Sequence, residues 1–361
     1  MRKIGIITLN GYNNFGNQLQ LYAMQQVLSE YGDVQNIIWY DTHESCCKVY
    51  KDKIKHILRL IFAPYYIKFC KYKRFYKENK KMIKTYNKIV YRERHFRKLN
   101  KKFDVFVAGS DQIWNPNFKE NKNMRVNLLA FASPEKKLAV SPSVGVETLD
   151  DSQKELFVQY LKDFEHLSCR ESQGAKLLEK VIGKPVESLI DPTLMLSAEQ
   201  WGEYSQKPTF HNDEDKYVFT YYLGDSNVYY LYIINLIAKK HGYKVVDLMD
   251  KNSPYYKCTP TEFVYLIKNC EMVCTDSFHA SVFAYMFDKP LKIFKRQDDS
   301  VSMNSRLVNL MQIFNLDERV VYYKEGQSLE NCFVANYDKS KLKEEQIKFK
   351  KFLNERLKKE S

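Results

Sequence analysis

A chain of 361 residues exceeds the ~100–200 residues of a usual single core, so two domains are the default reading. Hydrophobic residues make up 44% of it, and with only 12 glycines and 10 prolines it is neither a low-complexity chain nor one dominated by linkers. The net charge of +13 is concentrated: Lys48 to Lys102 holds 20 basic residues against three acidic ones, whereas the remainder holds 37 against 41.

The elements follow in chain order. Lys3-Ile-Gly-Ile-Ile-Thr-Leu is a short β-branched run, expected as a buried parallel strand and too short an apolar stretch for a signal peptide. Polar Asn10 to Asn17 leads into a helix expected over 19–30. Ile37-Ile-Trp-Tyr is expected to be a second strand, and Phe103–Ala108, Lys137–Val140 and Glu165–Ser168 further ones. A helix is expected over 172–182, with Ser172 as its cap. The pattern loosens after Asp191, and Lys207 to Lys216 is polar, which sets the expected boundary. A second alternation follows, with strands at 217–223, 244–248, 272–275 and 291–294. Its helices are expected at 228–241, 261–268 and 278–287. A charged amphipathic helix over 340–359 closes the chain. The expectation is an α/β protein with a Rossmann-like domain over 1–206, a second over 207–339 and a terminal helix over 340–361. Residues 48–102 form a basic helical insertion in the first domain. Two doubly wound domains are expected to hold ligand between them, at the carboxyl ends of strands.

Eight cysteines include no C-x-x-C spacing, so no metal site is expected and the thiols should be reduced and mostly buried. No apolar run approaches the ~18 residues of a membrane span, and a cytoplasmic location is expected.

Four strand-end loops could hold chemistry. Asn10-Gly-Tyr-Asn-Asn-Phe-Gly-Asn-Gln enters a helix, whose N-terminus favours anions; a plain turn with an asparagine cap is the alternative. Gly109-Ser-Asp is followed by Trp114, which suits a sugar or small acid, or else fills the core. Arg170 at a strand end can grip carboxylate or phosphate, or pair with Glu171. Thr275-Asp-Ser-Phe-His-Ala places His279, one of seven histidines, at a helix start, where it can give and take a proton or simply pack. Asp276 and Ser277 there are natural caps.

In this order the loops resemble the polysaccharide pyruvyl transferase family. The matching strings are Asn14-Phe-Gly-Asn-Gln-Leu-Gln-Leu-Tyr-Ala, Phe106-Val-Ala-Gly-Ser-Asp-Gln-Ile-Trp-Asn-Pro, Ser168-Cys-Arg-Glu-Ser, Asp191-Pro-Thr-Leu and Thr275-Asp-Ser-Phe-His-Ala, with Asn304-Ser-Arg-Leu near the end. The resemblance implies a two-domain GT-B-like fold, phosphoenolpyruvate as donor and co-substrate, and no further cofactor. A glycan or lipid-linked oligosaccharide would be the acceptor, and a cyclic pyruvate ketal on it the product, with phosphate released, in surface polysaccharide biosynthesis. It implies His279 as general acid and Arg170 as the donor-binding arginine. Substrate-binding positions would be Asn14, Gly16, Asn17, Gln20, Ser110, Asp111, Ser143, Asp276, Ser277, Lys295, Arg296, Asn304 and Arg306. One departure stands out: several members have Arg-Leu directly before the histidine, where this chain has Ser277-Phe278. Lys295, Arg296 and Arg306 are candidates to replace that cation.

Two other readings remain at this level. A nucleotide-sugar glycosyltransferase would share the architecture, and a non-catalytic glycan-binding scaffold would share the surface. The 48–102 segment interleaves Ile54, Ile57, Leu58, Leu60, Ile61 and Phe62, then Tyr65, Tyr66, Ile67 and Phe69, with lysines and arginines, which suits an anionic membrane surface, here the inner face, or a merely solvated insertion. Nucleic acid is not expected as a partner, since no helix-turn-helix, zinc or RNA-binding signature accompanies the charge.

Overall fold

The computed structural model describes residues 1–40, 46–88, 90–118, 123–224, 228–294, 301–316, 319–321 and 335–358; for 46–48, 301–306 and 320–321 it describes the backbone alone. Contacts divide the chain into two compact units. Unit 1 comprises Met1–Phe62, Tyr76–Met195 and Lys343–Ser361, and unit 2 comprises Ala63–Phe75 and Leu196–Leu342.

Unit 1 opens with β1 (Lys3–Ile7), α1 (Phe15–Ser29) and β2 (Asp33–Asn36). Three helices follow: α2 (Cys46–Ile61), α3 (Ile67–Met82), whose first half belongs to unit 2, and α4 (Glu93–Lys102). Then come β3 (Val105–Ala108), the short α5 (Met124–Asn127), β4 (Lys137–Ala139), α6 (Asp151–Leu161), β5 (Ser168–Cys169), α7 (Ser172–Ile182) and β6 (Glu187–Ser188). The main sheet is parallel in the order β2-β1-β3-β4, and β5 and β6 form a small parallel pair of their own. In the main sheet β1, β3 and β4 bury almost every side chain, as parallel strands covered on both faces must, while the edge strand β2 is half-buried. Ile7, Phe106, Trp114, Leu138, Phe157 and Phe164 lie in the interior.

Unit 2 contains α8 (Ala198–Tyr204), β7 (Tyr217–Tyr221), α9 (Val228–His241), β8 (Lys244–Asp247), α10 (Pro260–Asn269), β9 (Met272–Thr275) and α11 (Phe278–Met286). It continues through β10 (Leu291–Phe294), α12 (Val301–Phe314) and β11 (Val320–Val321), and α13 (Ser340–Leu357) follows. Its sheet is parallel in the order β11-β10-β9-β7-β8. One core cluster packs α9 residues Ile233, Ile234 and Ile237 on Val218, Met272 and Phe294. Each unit is thus a Rossmann-like α/β domain, and no described helix is long and apolar enough to cross a membrane.

Several expected elements are corrected. The second strand is Asp33–Asn36, not Ile37–Tyr40: Lys3 pairs with Asp33 and Ile6 with Asn36. After Ile37, which still donates its N–H to Ile6, the chain leaves the sheet, and Trp39 bridges Val90 instead. The apolar run marked burial, while the half-buried alternation of Asp33–Asn36 marked the strand. Helix α7 has the expected span, but Glu171 is its cap residue and Ser172 its first turn. The Glu165–Ser168 strand shrinks to Ser168–Cys169. Among the described residues Cys70, Cys169, Cys258, Cys270 and Cys274 are in no disulfide, and all but Cys70 are buried.

Candidate functional site

In a doubly wound sheet the ligand-binding crevice opens where successive connections leave a strand pair in opposite directions. In unit 1 that point lies between β1 and β3, since the chain runs from β1 outward to β2 and returns on the other side as β3. The loop after β1 leads to α1, where the Asn14 side chain accepts from the Asn17 N–H at 3.3 Å and caps the helix. Thr8 Oγ1 donates to the Ser110 carbonyl across the switch point (2.8 Å), and Gln20 Nε2 donates in turn to Thr8 Oγ1 (3.1 Å) and to the Asn17 carbonyl (3.0 Å). Gly16 and Asn17 are buried beside them, while Asn14 is exposed. Gln20 is wholly buried, and its Oε1 has no hydrogen-bond partner among the described residues. Such an acceptor suits an incoming hydroxyl or water.

The loop after β3 turns sharply at Asp111, whose backbone (φ 70°, ψ −177°) lies in a region normally left to glycine. Ser141, after β4, also has positive φ (52°). Strain of this kind persists only where surrounding bonds over-determine the chain. Here the Asp111 carbonyl accepts from the N–H groups of Ile113 and Ser143, and Ser141 Oγ donates to the Ile190 carbonyl. Gly145 (φ 62°) follows, where a Cβ would stand 2.8 Å from Asn115 Nδ2 and 2.9 Å from Gln112 Nε2.

Arg170 lies behind these loops, 2% exposed, among three carboxylates. Nη1 donates to Asp191 Oδ2 at 2.7 Å and Nε to Glu171 Oε1 at 3.2 Å, while Nη2 stands 3.9 Å from Asp111 Oδ1. Ser110 Oγ donates to the same Asp191 oxygen (3.0 Å) and Ser143 Oγ to the same Glu171 oxygen (2.6 Å). The other Asp191 oxygen accepts from the N–H and hydroxyl of Thr193. Burial alone would push the Arg170 pKa down, but the coulombic pull of Glu171, Asp191 and Asp111 reverses this and raises it, so the guanidinium is always charged. Burial, reinforced by Glu171, pushes the Cys169 thiol up, so it remains protonated. Trp114 is in the core, with Nε1 donating to the Asn127 carbonyl, so the sugar platform considered for it is not there. A separate cavity of about 620 Å³ opens against α4 and α5, with Arg92, Arg97, Asn123 and Arg125 in its lining.

In unit 2 the switch point lies between β7 and β9. The strand ends are tied there as in unit 1: Thr275 Oγ1 donates to the Tyr221 carbonyl, and the Asp276 carboxylate accepts from the N–H groups of Leu223 and Gly224, both at 2.8 Å. Asp276 therefore fastens the neighbouring loop, and Ser277 alone caps α11, accepting from the Ala280 N–H at 3.5 Å. His279 occupies the first turn of that helix, 7% exposed and edge-on to Phe278. Tyr222, on the β7 loop, escaped the sequence reading. Its hydroxyl is buried without a partner among the described residues, and burial, with Cys274 and Asp276 adding, pushes its pKa well up, so it keeps its proton. Lys295 and Arg296 lie outside the described residues; Asn304 and Arg306 belong to α12, but their side chains are not described. No group of metal-ligating side chains exists among the described residues.

Two Rossmann-like units, each built on its own parallel sheet, define a GT-B-like protein. Residues 14–291 match the model of the polysaccharide pyruvyl transferase family, and the chain belongs to that family. It is accordingly a pyruvyl transferase of polysaccharide biosynthesis, a class that acts on glycan acceptors. No curated protein matches the chain. Among solved structures it is similar to UDP-GlcNAc 2-epimerase from Neisseria meningitidis bound to UDP-GlcNAc, at 12% identity over 98% of this chain and 100% of that one, with a TM-score of 0.51. The UDP-GlcNAc 2-epimerase from Methanocaldococcus jannaschii is another, at 12% identity over 97% and 99%, with a TM-score of 0.48. The first of these likenesses supports the fold and nothing finer.

Proposed function

We propose that the protein moves the enolpyruvyl group of phosphoenolpyruvate onto two hydroxyls of one glycan sugar, forming a pyruvate ketal and releasing phosphate. The observation that carries this reading is the position of His279, in a family of pyruvyl transferases, one turn beyond β9 at the switch point of unit 2. In this reading its imidazolium protonates the methylene carbon of the donor, and the adjacent carbon becomes electrophilic. One sugar hydroxyl adds to that carbon, the bond to the phosphate oxygen breaks, and the second hydroxyl closes the ring. Of the two hydroxyl protons, one replaces the proton taken into the new methyl group and the other leaves with phosphate.

The donor's carboxylate and phosphate require cations or backbone donors. Lys295 and Arg296 directly follow β10, the neighbour of β9, and with Arg306 they are our candidates for that role. We assign Arg170 a positioning role instead: three carboxylates surround its guanidinium, and an anionic donor approaching it would be repelled by them. The Tyr222 hydroxyl, on the loop after β7 in the same unit as His279 and without a partner among the described residues, is a donor of the kind a sugar needs.

The test is donor binding combined with His279→Gln. Wild-type protein should bind phosphoenolpyruvate in titration calorimetry. The variant should bind it comparably while turnover falls by about 10²–10⁴-fold, the usual contribution of a general acid. Near-normal turnover would remove His279 from the mechanism, and selective binding of a nucleotide sugar would favour the glycosyltransferase reading.

A further inference from the structure

Helix α2 carries a surface that the transferase chemistry leaves unused. Its Val49 is buried and His56 packs edge-on against Tyr76, with ring centroids 4.6 Å apart, which fixes its inward side. On the opposite side Tyr50, Ile54, Ile57, Leu58, Ile61 and Phe62 are 43–62% exposed. At about 100° per residue these six fall within an arc of roughly 140°, so they form one continuous apolar stripe. Isolated exposed leucines are ordinary, but six large apolar side chains on one stripe are not.

The flanks of the stripe are basic. Lys51, Lys55 and Arg59 follow one edge at successive turns, and Lys53 stands on the other, its Nζ 5.8 Å from the Tyr50 ring centroid. Asp52 is the sole acidic residue on α2, and it pairs with Lys55 at 3.6 Å. A protein partner or a second copy could cover an apolar stripe, but a border of lysine and arginine on both sides matches an apolar layer beneath an anionic headgroup plane. The rest of the chain outside 48–102 has slightly more acidic than basic residues, so the charge is local to this region. The helix is too short and too charged to span a bilayer.

We propose that α2 docks the protein on an anionic lipid surface, with its apolar stripe in the headgroup–acyl boundary and its axis in the membrane plane. The inference is independent of which glycan is pyruvylated and of His279.

The experiment is co-sedimentation of the full chain with vesicles of phosphatidylcholine alone and of phosphatidylcholine with 30–40% phosphatidylglycerol (roughly the anionic content that sustains an electrostatic attraction), at low and high salt. Binding should occur on the anionic vesicles and weaken at least tenfold at high salt. Ile57→Glu/Ile61→Glu should weaken it at least tenfold, and Lys51→Glu/Lys55→Glu/Arg59→Glu likewise, with unfolding midpoints unchanged because all five side chains are at the surface. Absence of binding to the anionic vesicles by wild type would overturn the proposal, as would binding indifferent to Ile57→Glu/Ile61→Glu. A wild-type dimer that the same apolar variant converts to monomer, without loss of vesicle binding, would assign the stripe to a second copy and also overturn it.

Discussion

Arg170 shows how a residue's chemistry can be legible while most of its partners are not. A guanidinium at a strand end was visible in the sequence, and so was Glu171 beside it. What was not visible is that Asp191, 21 positions on, and Asp111, 59 positions back, would close on the same group. Such convergence is a product of topology and has no local signature. Replacing Arg170 by Met leaves buried carboxylates without their counter-charge, and removal of one partner from a buried ion cluster costs about 3–5 kcal/mol. We expect Arg170→Met to lower the urea midpoint markedly, with Arg170→Lys recovering only part, since lysine lacks the planar fork that reaches two carboxylates. A midpoint equal to wild type in Arg170→Met would show that the cluster does not hold these loops. The Asp276 pairing was half legible: its cap chemistry pointed to a helix start, but its carboxylate serves the backbone of the β7 loop.

Elements were the most legible scale. The alternation of short β-branched runs with helical segments placed most strands and helices of both units close to their observed spans, because a buried parallel strand is a short, nearly continuous apolar run. The failures came where a neighbouring apolar run outweighed a polar, half-buried alternation, as at Asp33–Asn36, or where an element was two residues long, as at Ser168–Cys169. The basic segment was read as one insertion, yet its helices differ. On α3, Lys71 is 5% exposed, with Nζ 4.8 Å from the Tyr256 ring centroid, and Arg74 pairs with Glu262 at 2.5 Å. Burial pulls the Lys71 pKa down to about 8, with Cys258 opposing weakly. An unfolded lysine titrates near ~10.4. Below pH 8 both states hold the proton, and the cost of the buried charge is felt in full. Between about 8 and 10.4 the unfolded chain keeps a proton that the folded one has shed, so stability rises with pH by about 3 kcal/mol at most. Lys71→Met should therefore be more stable than wild type at pH 7, and the advantage should shrink by pH 10. Urea midpoints at the two values decide this, and an unchanged difference between wild type and variant would show that Lys71 titrates normally.

At the scale of the whole molecule, two Rossmann-like units each tie their strand ends together at the switch point, through Thr8 and Ser110 in one and Thr275 and Tyr221 in the other. That repetition was not readable in the sequence, because the threonines are single residues at the ends of dissimilar strands. Family membership was readable from the order of five short strings. The acceptor sugar was not, because a glycan is selected by the shape that many loop residues make together. The measurement that bears most directly on the account is phosphate release from phosphoenolpyruvate by the purified full chain. It is run over galactose-, glucose- and mannose-type acceptors, free and lipid-linked, with mass analysis of each glycan. The account predicts release that depends on one class of acceptor, together with a pyruvyl mass gain on that glycan and the loss of both in His279→Gln. Phosphoenolpyruvate left intact throughout, while a nucleotide sugar is consumed and the same glycans gain a hexose, would contradict it.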